Sequence, residues 1–124
     1  MDDDIYLNSL LMNFNNSFNT KGELEDVSFN IKYDNLKSIC SFCVGINLSR
    51  SYDFDHKNIY SLMHNEGNSP YRYVLKNDML EISAFIFSGC VPHMETLLNI
   101  LSDMIASAKS AKLIIEEVEH ERER

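Results

Sequence analysis

The side chains best suited to chemistry in this 124-residue chain are three cysteines, four histidines and a surplus of carboxylates. Cys40-Ser-Phe-Cys43 and Cys90-Val-Pro-His93 together have the composition of a Cys3His zinc set. A zinc knuckle needs both cysteines of a pair on one side of a tight turn. Cys40 and Cys43 stand three apart in a strongly alternating run, which sends them to opposite faces of a strand. Cys40 also falls in line with Phe42, Val44 and Ile46, where a small apolar residue is wanted. Packing is the expected role of these thiols, and no metal is expected.

Nucleophilic catalysis is the next chemistry to weigh. Cys90 precedes an expected helix start, where the dipole lowers a thiol pKa, and His93 follows within the first turn. No third, orienting group has an identifiable place, and the surrounding residues match no protease signature. The carboxylates cluster at Asp2, Asp3 and Asp4, at Asp53 and Asp55, and over 116–123. A calcium loop needs a DxDxDG-like run ending in glutamate, and no glycine follows Asp53 and Asp55 at the sharp turn. His56, His64, His93 and His120 are too dispersed to pair, and the four glycines form no phosphate-cradling loop. No catalytic residue, metal ligand or cofactor is expected, and the chain reads as a non-enzyme.

Charge narrows the partners. With 11 basic and 19 acidic residues the formal net charge is -8. A phosphate backbone needs a basic stripe, whereas the basic residues here are scattered singly, so nucleic acid is not the expected ligand. An acidic surface suits basic protein partners, or simply solubility. Hydrophobic content of 44% with 24% charged residues is that of a folded protein, and the length suits a single domain over 1–124. No apolar run of about 18 residues indicates a membrane span. The acidic start at Met1-Asp2-Asp3-Asp4 is unlike the basic region of a signal peptide. A cytoplasmic location with reduced thiols is expected.

The elements that must carry these residues follow from periodicity. Leu7, Leu10, Leu11, Phe14 and Phe18 share one face of a helix expected over 4–18, weakened by Asn15, Asn16 and Ser17 and ended by Lys21-Gly22. Val27, Phe29, Ile31 and Tyr33 alternate as a first strand, and Asp34-Asn35 makes a turn. Cys40, Phe42, Val44, Ile46 and Leu48 alternate over 38–48 against Ser41, Cys43, Gly45 and Asn47, a strand buried on one side. Residues 49–70 fit either a short helix from Asp55 to Gly67 or an irregular strand over 58–64. A strand over 71–76, a turn at Asn77-Asp78 and a strand over 79–88 make a hairpin. Met94, Leu97, Leu98, Leu101, Met104, Ile105, Ala108, Ala111, Ile115 and Val118 then form the clearest helical stripe, over 92–118. The residues of 116–124 are mostly charged and read as a tail that frays, with extension of the helix into solvent as the alternative.

An α+β fold is therefore expected: an antiparallel sheet of four to five strands, with the N-terminal and the long C-terminal helix on one face. If Leu80, Ile82 and Ala84 face the helices, Phe85 and Phe87 lie on the other side. An apolar second face implies a protein partner or a homodimer, unless residues 49–70 fold over it. Tyr71, Tyr73, Phe85 and Phe87 are the candidate aromatic contacts with a partner. Glu116, Glu117 and Glu119 are the candidate charged contacts.

The order of elements, the size, the acidity and the 94–118 helix resemble the class I chaperones of type III secretion systems. The resemblance implies a dimeric helix–strand–helix protein that wraps an extended segment of a secreted effector, without catalysis or cofactor. That family normally has three strands after its first helix, and two clear ones are found here, at 26–33 and 38–48. Its middle helix commonly builds the dimer interface, and the 55–64 segment is short for that. The rival reading is an immunity protein whose acidic surface neutralises a toxin, such as a basic nuclease.

Overall fold

The computed structural model describes Ser9 and residues 19–24, 26–48, 71–75 and 78–122. Five strands, β1 (Asn19–Leu24), β2 (Val27–Asp34), β3 (Ile39–Asn47), β4 (Arg72–Leu75) and β5 (Met79–Phe87), precede helix α1 (Met94–Arg122). The strands form one sheet in the order β1-β2-β3-β5-β4, with antiparallel pairing throughout the described residues. The expected α+β architecture is present, with the long helix on one face. The helix expected over 4–18, apart from Ser9, and the segment 49–70 lie outside the described residues.

Alternation places the core. Val27, Phe29, Ile31 and Tyr33 on β2 stand beside Ile46, Val44, Phe42 and Cys40 on β3, all buried on the same face. Leu80 and Ile82 continue that face on β5. Helix α1 crosses β3 and β5 there with Leu97, Leu101, Met104, Ala108, Ala111 and Ile115, all buried. Those steps of four and three keep one side of a helix on the sheet. His93 accepts the Leu97 N–H at 3.0 Å, which starts the helix just after Pro92, and Glu95 complements the positive end of its dipole. The helix continues to Arg122, so of the two readings of 116–124 the extended helix is the one described. Glutamate and arginine are good helix formers, so the charged run suits that extension.

Strand β1 departs from the sequence reading, which ended a helix at Lys21-Gly22. Its residues pair with β2 from Asn19 opposite Lys32 to Leu24 opposite Val27. Asn, Lys, Gly and Glu have poor strand propensity, so the local signal is weak. The strand forms because β2 offers a row of backbone donors and acceptors, and Thr20 stands buried beside Ile31 while Leu24 packs against the core. Among the described residues, the strands before position 49 are thus three, not two. The β2–β3 turn is the one expected at Asp34-Asn35. The Asp34 Oδ1 accepts from the Leu36 and Lys37 N–H groups at 3.0 and 3.2 Å, and Ser38 takes a left-handed φ of 56°.

Candidate protein-binding face

The side of the sheet away from α1 has a different chemistry. It carries Ser28, Asn30 and Lys32 from β2, Ser41, Cys43 and Gly45 from β3, and Glu81, Ser83, Phe85 and Phe87 from β5. Register arranges these in bands across the strands. Phe87 stands opposite Ile39, and Phe85 stands opposite Ser41, which is itself opposite Lys32. The next band runs Arg72, Ser83, Cys43, Asn30, Lys21, and the one after it Val74, Glu81, Gly45, Ser28, Glu23. The face therefore passes from apolar through basic to acidic along the strand direction.

Two phenylalanines dominate the apolar end. Phe85 and Phe87 are 63% and 74% exposed, and their rings meet edge to face with centroids 5.7 Å apart. A T-shaped pair is a favourable ring geometry, yet it leaves most of both side chains in water. Leu36, also exposed, sits in the β2–β3 turn at the same end of the sheet, where the Ser88 N–H bonds the Ser38 carbonyl at 2.9 Å. Clustered exposed apolar groups of this size mark interaction sites more than solvated surface.

Below Phe85 lies a depression of about 480 Å³, lined by Lys32, Arg72, Asn30, Ser41, Ser83 and Phe85 among others, with no carboxylate among the described residues. A second, of about 510 Å³, adjoins it over Lys21, Glu23, Ser28, Gly45 and Glu81. Asn30 and Cys43 border both. The side-chain oxygen of Asn30 is buried and has no hydrogen-bond partner among the described residues. Such an acceptor is costly unless a donor reaches it. Small side chains create this relief: a Cβ on Gly45 would come within 3.2 Å of the Ser28 Oγ.

Not all of the sequence candidates share this face. Tyr73 stands opposite Ile82, and Tyr71 and Tyr73 pack half-buried against the core on the helix side. The Tyr71 hydroxyl donates to the Asp103 carboxylate on α1, and burial together with that carboxylate pushes the phenol pKa up. Glu116 is half-buried and Glu117 exposed on α1, while Glu119 lies beyond the last described side chain. Of the six whose side chains are described, Phe85 and Phe87 alone reach the open face. Lys32 and Arg72 went unnoticed in the sequence. Their alternation with Ile31 and Tyr73 indicated which way they point, but not that they meet.

The thiols separate as alternation requires. Cys40 is buried opposite Tyr33 and Ile86, and burial raises its pKa to about 11. Cys43 sits between Asn30 and Ser83 on the open face, and Cys90 is exposed before α1. Among the described residues, no three histidine, cysteine or carboxylate side chains gather into a metal-sized group. No helix among them is long and apolar enough to cross a membrane.

No protein-family model matches the sequence, and no curated protein matches it. The fold does have solved counterparts. A chain in the crystal structure of the ExsC–ExsE complex superposes with a TM-score of 0.62 at 10% identity, covering 90% of this chain and 95% of that one. A chain of the HopA1–SchA chaperone–effector complex gives a TM-score of 0.57 at 10% identity, covering 90% and 97%. The resemblance to class I type III secretion chaperones is thereby borne out at the level of fold. The third strand, β1, removes the departure in strand number, while the one at 55–64 lies outside the described residues.

Proposed function

We propose that this chain is a secretion chaperone of the class I type III kind: a non-catalytic, acidic, cytoplasmic protein that binds an extended segment of an effector and escorts it. The observation that carries the reading is the fold shared with a chain of a chaperone–effector complex over 90% of this one. The exposed Phe85–Phe87 pair supports it, because an extended segment docks through apolar side chains and backbone hydrogen bonds. Self-association as a homodimer belongs to the same reading, because the resemblance to class I chaperones implies a dimer. The immunity reading finds no support in the fold neighbours.

The test is isolation of the complex from the native host, followed by hydrogen exchange on the bound chain. One contiguous segment of the partner is expected to be protected in the complex and unprotected when free. Affinity is expected to change little with salt, because buried apolar surface holds the complex. A folded basic partner that associates fast, at a rate falling steeply with ionic strength, would overturn the reading in favour of toxin neutralisation.

A further inference from the structure

The depression below Phe85 runs against the charge of the molecule. The chain has a net charge of -8, yet among the described residues this hollow is lined by two cations, Lys32 and Arg72, and by no carboxylate. The two come from β2 and β4, with β3 and β5 lying between those strands in the sheet. Ser41, Cys43 and Ser83 are small enough to leave room for both to border one space. Neither cation has an ion-pair partner among the described residues. Beside them the buried oxygen of Asn30 calls for an N–H donor. Towards the β2–β3 turn the surface becomes apolar at Phe85 and Phe87.

We propose that this face selects an extended protein segment bearing an apolar side chain and a carboxylate two residues apart. The proposal rests on the chaperone reading above and specifies which segments such a chaperone takes. Same-side residues of an extended chain recur about every 6.6–6.8 Å, which is also the spacing of successive bands along β5. An apolar side chain seated on Phe87 therefore brings the next same-side residue over the hollow. A carboxylate there meets Lys32 and the planar fork of Arg72, in charge-assisted hydrogen bonds. A lysine at that position faces two like charges instead. The backbone of the segment supplies the donor that Asn30 lacks.

Peptides of roughly ten residues, long enough to cross the face, provide the probe. Each carries Leu followed two residues later by Glu, Gln or Lys, and is titrated against the full chain by fluorescence anisotropy. The Glu peptide is expected to bind at least about tenfold tighter than the Lys peptide, or about 1.4 kcal/mol. The Lys32→Glu/Arg72→Glu double variant is expected to reverse that order, and Phe87→Ser to weaken all three peptides alike. These three side chains are exposed, so the melting temperature is expected to hold, and it is measured on each variant. Equal binding of the Glu, Gln and Lys peptides would overturn the charge selection while leaving segment binding intact. Absence of binding by every peptide would count against this proposal and the chaperone reading together. Variants that change the oligomeric state or stability of the isolated chain without reordering the peptides would also overturn it, by assigning the face to a second copy or to residues of this chain.

Discussion

Cys40, Cys43 and Cys90 are in no disulfide and stand in three surroundings, buried, half-buried and exposed. Their order of reaction with an alkylating reagent at neutral pH is expected to be Cys90, then Cys43, with Cys40 reacting only on unfolding. Burial both blocks access to Cys40 and holds its pKa at about 11, so almost none of it is thiolate. Mass spectrometry of partially alkylated protein checks the order, and early labelling of Cys40 would contradict its place under α1. The same two-sidedness separates the phenylalanines. Phe42 is 1% exposed on β3, and Phe42→Ala is expected to cost about 3–5 kcal/mol in urea unfolding. Phe85→Ser, on the open face, is expected to stay within about 0.5 kcal/mol of wild type, as surface changes usually do.

Helix and sheet are tied together by polar contacts as well as by the core. The Lys112 Nζ on α1 donates to the Asp26 carboxylate, next to the start of β2, at 2.7 Å. That bond is the main cause holding the Asp26 pKa below its ordinary value. A depressed carboxyl pKa stabilises the fold above the unfolded value, near 3.9, and that contribution is lost as pH falls through the folded value. The carboxylate is solvent-accessible, so screening limits the effect to about 0.5–1 kcal/mol. Asp26→Asn is accordingly expected to lower the urea midpoint slightly at about pH 7, with the difference vanishing near pH 2 and shrinking in high salt. A difference that persists in acid would mean the side chain contributes by something other than its charge.

For the whole molecule, the end of α1 and the state of association are the decisive measurements. The last described core residue of the helix is Ile115, 1% exposed, so residues 116–124 add no described side chain to the core. Removing 116–124 is expected to leave partner affinity within about tenfold, roughly 1.4 kcal/mol. Loss of a fast, salt-sensitive association on that truncation would instead make Glu116 and Glu117 steering groups for a basic partner. Light scattering is expected to give twice the 14.3 kDa chain mass at high concentration. A monomer there would remove the homodimer from the proposed function.

Strands β2, β3 and β5, the face each one buries and the stripe of α1 were all legible in the amino-acid sequence, because a period of two or of 3.6 is written in neighbouring residues. The same local logic separated Cys40 from Cys43 and sent Phe85 and Phe87 away from the helix. Strand β1 was not legible: Asn19, Lys21 and Glu23 carry no strand preference, and only the open edge of β2 gives that backbone its partners. Nor could periodicity bring Lys32 and Arg72 to one hollow. That meeting requires β5 to enter the sheet between β3 and β4, with registers that set Ser41 beside Phe85 and Ser83 beside Arg72. Which way a side chain points is decided within a few residues of chain. Which side chains share a surface is decided by pairing between distant strands, and that belongs to the tertiary structure alone.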